Sequence, residues 1–76
     1  MPRYALESTL LTWVAYRAEK SVLEVEFRDG SRYCFCDVPA SCLQQLLTAD
    51  SKGIYFNRHI RNRYPFQRVS ASGASG

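Results

Sequence analysis

Apolar and polar positions alternate most clearly between Val22 and Arg28. Leu23, Val25 and Phe27 interleave with Glu24 and Glu26, the period-two pattern of a strand with one face buried and one in water. Leu10–Tyr16 reads as an earlier strand, joined to it by the polar loop Arg17-Ala18-Glu19-Lys20-Ser21. Trp13 has the opposite parity to Val14 and Tyr16, so it falls on the other face of that strand. A third strand, Ser31–Cys36, follows Asp29-Gly30, a strong hairpin signal.

The length of that hairpin loop decides which side chains reach the core. A two-residue loop, Asp29-Gly30, sets Glu26 opposite Tyr33 and Glu24 opposite Phe35. Two aromatics then lie on the acidic face, as on sheets that stack RNA bases. A three-residue loop, Arg28-Asp29-Gly30, with Gly30 left-handed, sets Val25 opposite Tyr33 and Leu23 opposite Phe35. Glu26 then pairs with Arg32. The second register gives one continuous apolar face and a complementary charge pair on the other, and is preferred.

After Cys36 the period changes. Leu43, Leu46 and Leu47 recur at helical spacing with Cys42 and Ala49 beside them, and a helix is expected from Asp37-Val38-Pro39, with Asp37 as its cap. Asp50-Ser51 separates it from a second helix, capped by Ser51, with Phe56 and Ile60 inward and Tyr64-Pro65 as its stop. Gly53 in its first turn either lets something approach closely or merely costs stability. Phe66–Val69 is read as a short extended segment packing back. The fold expected is α+β: a three-stranded antiparallel meander followed by two helices packed on one face. Residues 1–7 form a lead-in, residues 8–69 the domain, and residues 70–76, all Ser, Ala or Gly, a disordered tail.

Composition changes this picture little. At 76 residues, 46% apolar and 13% aromatic, the chain is long enough for one small core. No apolar run approaches the ~20 residues that span a bilayer, and no signal-peptide pattern is present, so a cytoplasmic protein without membrane contact is expected. Cys34, Cys36 and Cys42 are an odd number without a C-x-x-C clamp, and they read as small core fillers, with neither disulfide nor zinc implied.

In order and spacing, several segments resemble the KTSC domain, a module named after the C-terminal region of some lysyl-tRNA synthetases and also found as stand-alone bacterial proteins. They are Tyr16, Leu23-Glu24-Val25-Glu26-Phe27, Gly30, Tyr33-Cys34-Phe35, Val38-Pro39, Ala49 through Asn57, and Ile60-Arg61. The resemblance runs from Ser8 to Val69. The family's Tyr-x-Tyr motif stands here as Tyr33-Cys34-Phe35, with one hydroxyl missing. The resemblance implies no defined activity; its attachment to a tRNA synthetase implies RNA binding by association only.

Charge is more informative than composition. Residues 1–50 hold five basic and seven acidic side chains, a net of −2, whereas residues 51–68 hold five basic and no acidic ones. Lys52, Arg58, Arg61, Arg63 and Arg68, interleaved with Tyr55, His59 and Tyr64, are the residue types that contact phosphates and stack on bases. RNA or single-stranded nucleic acid is therefore the expected partner. Against this stand a merely solvated helix, pairing of these arginines with Glu7, Glu24 or Glu26, and a bracing role for Arg61 through Asn57. A protein partner or a second copy, docking on exposed aromatics around Trp13 at a sheet edge, is the alternative. Catalysis is not expected. His59 is the sole histidine and nothing in the spacing brings it to a cysteine; no carboxylate pair or phosphate-cradling loop occurs.

Overall fold

The Asp29-Gly30 turn takes the three-residue form. In the computed structural model, which describes residues 3–69, Gly30 sits at φ +91° and Phe27 N–H bonds Ser31 O at 2.9 Å. Asp29 Oδ1 accepts from both the amide and the hydroxyl of Ser31, at 2.9 and 2.6 Å, and these bonds, the hydroxyl one first, hold its carboxyl below the usual range. The strands flanking the loop pair Leu23 with Phe35, Val25 with Tyr33 and Glu26 with Arg32, the preferred register. Arg32 Nε meets Glu26 Oε1 at 3.0 Å on the outer face.

The elements run β1 (Arg3–Ala5), β2 (Leu11–Arg17), β3 (Val22–Phe27), β4 (Arg32–Phe35), α1 (Ala40–Thr48), α2 (Lys52–His59) and β5 (Phe66–Val69). All five strands join one antiparallel sheet in chain order, so the fold is α+β with five strands, not three. The lead-in holds β1 and the buried Leu6, while the return segment after Pro65 is β5. Both added strands are edges, short and mostly exposed, and so carry no alternating signal. The tail expected at residues 70–76 lies outside the described residues.

Inward side chains of the sheet meet the helices. Val14, Leu23, Val25, Leu46, Phe56 and Ile60 are fully buried, and Phe35 packs edge-on against Phe56 with ring centroids 5.3 Å apart. Leu43 and Cys42 join the core as the helical spacing predicts. Tyr16 donates its hydroxyl to Val38 O at 2.6 Å, fastening the chain entering α1 to the sheet.

Four expectations need correction. The helix capped by Asp37 begins later: Pro39 is the N-cap, without a side-chain cap bond, and Asp37 lies at φ +62° outside it. Proline after Val38 delays the helix because the residue before a proline resists helical φ/ψ. The second helix stops at His59, not at Tyr64. The amides of Ile60 and Arg61 both reach Phe56 O, closing it in a wider final turn. β2 is an inner strand, because β1 covers its edge. Trp13 does point to the outer face, as its parity requires, but is only 8% exposed there, with the Arg3 guanidinium 4.1 Å and that of Arg32 5.4 Å from its ring.

Ser51 does cap α2, its Oγ accepting from Ile54 N at 3.3 Å. A Cβ on Gly53 would stand 3.4 Å from Leu10 Cβ and 3.5 Å from Ser8 Oγ, so glycine lets the Ser8–Leu10 segment lie close against α2. Among the described residues no helix is long and apolar enough to cross a membrane.

Candidate nucleic-acid interface

The basic residues of the second half fall on three consecutive pieces of backbone: α2, the turn after it, and β5. Arg58 and His59 occupy the last turn of α2, where cations also complement the helix dipole. Arg61 and Arg63 lie in the following turn, and Arg68 sits on the edge strand opposite Tyr33. All five side chains are exposed. Among the described residues the one salt bridge joins Arg32 to Glu26, so Glu7, Glu24 and Glu26 do not pair with these cations. Asp29 lies near enough to Arg68 to feel its charge.

Two of the candidates serve the fold. Lys52 is bent back onto the end of α1, donating from Nζ to Ala49 O at 3.0 Å. Tyr55 donates its hydroxyl to Gln45 Oε1 at 2.6 Å and stands 3.8 Å from Cys42 Sγ, joining α2 to α1. Burial first, and Cys42 second, push its phenol up to about 12. Its other face stacks on His59, with centroids 4.5 Å apart at 34°. Arg61 is braced as its spacing predicted: Nη1 donates to Asn57 Oδ1 at 3.1 Å, and the guanidinium lies 5.4 Å from the Phe27 ring.

Two shallow grooves gather some of the candidates, and Arg58 and Arg68 line neither. One gathers Tyr55, His59, Arg63 and Tyr64 beside Cys42 and Gln45. Cys42 and His59 thus share a groove, which spacing did not show, but the phenol of Tyr55 is what bonds the thiol. The other gathers Arg61 with Phe27, Tyr33, Phe35 and Phe66. Of the aromatic motif, Phe35 is core and Tyr33 half-buried, both on the helix side of the sheet. Phe66, passed over in the sequence, is 53% exposed; its signal was an aromatic directly after Pro65 within the acid-free stretch. A larger cavity, about 580 Å³, lies at the opposite end of α2 and includes Glu7 and Asp50, which disfavour a polyanion.

The sequence model of the KTSC domain matches residues 7–64. The chain belongs to the KTSC domain family. The crystal structure of a KTSC domain protein from Yersinia pestis superposes with a TM-score of 0.87 at 25% identity, covering 91% of this chain and 97% of that one. An uncharacterised protein of Stutzerimonas stutzeri is 40% identical over 70 residues, 91% of this chain and 99% of its own. A lysine–tRNA ligase of Nostoc punctiforme is 33% identical over 64 residues, 84% of this chain but 11% of the ligase. The KTSC domain is thus related both to small proteins of its own size and to one region of a much larger enzyme. The family match ends at residue 64, so Phe66 and Arg68 lie beyond it.

Proposed function

We propose that this KTSC domain is a binding module without catalysis, and that it holds RNA or single-stranded nucleic acid through α2, the turn after it and β5. The observation that carries this is the set of exposed cations Arg58, Arg61, Arg63 and Arg68, with no carboxylate bridged to any of them among the described residues. Arginine guanidiniums placed this way fork onto phosphate oxygens, and fixed backbone positions reduce the entropy lost on contact. His59 and Tyr55 add a stacked pair beside Arg63. Kinship to a region of a lysine–tRNA ligase is consistent with a domain that works beside RNA. The same reading expects a cytoplasmic location, where free thiols such as Cys34, Cys36 and Cys42 remain reduced. Docking of a protein around Trp13 has less support, because its indole is buried beneath Arg3.

The test is fluorescence anisotropy of a labelled 20-nucleotide single-stranded RNA. The double variant Arg58→Glu/Arg63→Glu replaces two exposed side chains outside the core, so it should keep the wild-type fold and lose at least about tenfold in affinity. Absence of RNA and single-stranded DNA binding by the wild type at 50 mM salt would overturn the proposal.

A further inference from the structure

Among the described residues, the helix-side face of the sheet is not covered as far as its last strand. Phe35 on β4 is 2% exposed, its neighbour Tyr33 is half-buried, and Phe66 on β5 is 53% exposed. Strand pairing sets Phe66 beside Phe35 and Arg68 beside Tyr33, so these four share one face. The rings form a continuous surface: Phe66 lies 5.5 Å from Tyr33 and 5.4 Å from Phe35, centroid to centroid. The turn after α2 brings Arg61 to the same place, where it lines a groove with Phe27, Tyr33, Phe35 and Phe66. Its bond to Asn57 fixes the guanidinium there. An adjoining groove continues from Tyr33 and Arg61 to Arg28 and Asp29. That carboxylate already accepts two bonds from Ser31, and Arg28 is held by Ser8 O at 2.9 Å.

A large aromatic left half in water on an edge strand does little for the core, and here it is flanked by two arginines. Cations beside an open ring match the alternation of phosphate and base along a single strand. We propose that Phe66 and Tyr33 form a stacking shelf for unpaired bases, with Arg61 and Arg68 taking the adjacent phosphates. The domain then prefers single-stranded RNA or DNA to a duplex, whose bases are already stacked and cannot reach the shelf. This rests on the nucleic-acid reading above and adds to it the part of the ligand that is read.

The experiment compares a uridine 12-mer, the same oligomer made abasic at its central positions, and a 12-base-pair RNA duplex, each at 50 mM salt. The wild type should bind the uridine 12-mer at least tenfold more tightly than the other two. Phe66→Ala should lose about five- to hundredfold for the uridine 12-mer and leave the duplex unchanged. Phe66→Trp should keep or improve the wild-type affinity. Phe66 is half exposed, so the alanine variant should retain the wild-type circular dichroism spectrum. Equal binding of all three ligands, or full affinity in Phe66→Ala, would overturn the shelf while leaving the electrostatic contact intact. Binding of none would overturn both. Self-association abolished by Phe66→Ala, with no oligonucleotide bound, would assign the shelf to a protein contact and overturn it as a base site.

Discussion

Tyr55 shows how a single side chain can look like a ligand contact and serve as a strut. Its hydroxyl is committed to Gln45 across the two helices, and its phenol is pushed up to about 12 by burial and by Cys42. The fold therefore favours the neutral phenol, while the unfolded chain ionises near the ordinary value of about 10. The resulting stability is fully present below about pH 10 and is lost as pH rises through about 12. Tyr55→Phe should cost about 1 kcal/mol at pH 8, the net worth of one hydrogen bond, and should decline less steeply than the wild type above pH 10. Urea midpoints from pH 8 to 11.5 would check both. Parallel slopes would contradict the assignment. None of this was legible in the sequence: a Gln and a Tyr ten residues apart on separate helices carry no pairing signal. Asn57 and Arg61, four apart, did carry one, and their bond formed as read.

Among the elements, legibility followed burial. β3 and β4 were read in the right register because Glu24 and Glu26 alternate with three core residues and Gly30 fixes the turn. A Cβ on Gly30 would meet nothing within 4 Å, so Gly30→Ala should be destabilised by the positive φ alone, by about 1–2 kcal/mol in urea titrations. Phe66–Val69 was read as extended, but neither edge strand was placed in the sheet, for the converse reason. Arg3-Tyr4-Ala5 is exposed throughout and Phe66-Gln67-Arg68-Val69 nearly so, which leaves no buried face to imprint a period. The lead-in nevertheless supports the domain: Leu6 is 6% exposed, and Leu6→Ala should cost about 2–4 kcal/mol. A core of this size supplies only ~3–5 kcal/mol, so that variant should melt far below the wild type. An unchanged melting temperature would mean that β1 and Leu6 are dispensable.

At the scale of the whole molecule, the uneven charge along the chain becomes an uneven surface. Two acids of the first half are spent locally: Glu26 on Arg32, Asp29 on Ser31. The second half keeps its arginines in water, on α2, the turn and β5. The acid-free stretch was legible as a run of residues. Its division between fold and surface was legible in part: the bracing of Arg61 through Asn57 was read, whereas the turn of Lys52 back onto Ala49 was not. Three or four guanidiniums acting on a single strand imply a slope of about −2 to −3 in log affinity against log salt. The most direct test is a salt titration of wild-type binding to single-stranded RNA between 50 and 200 mM. Affinity falling about 20- to 50-fold over that range is the expected result. A salt-independent affinity, or no binding at 50 mM, would contradict nucleic-acid contact through this surface.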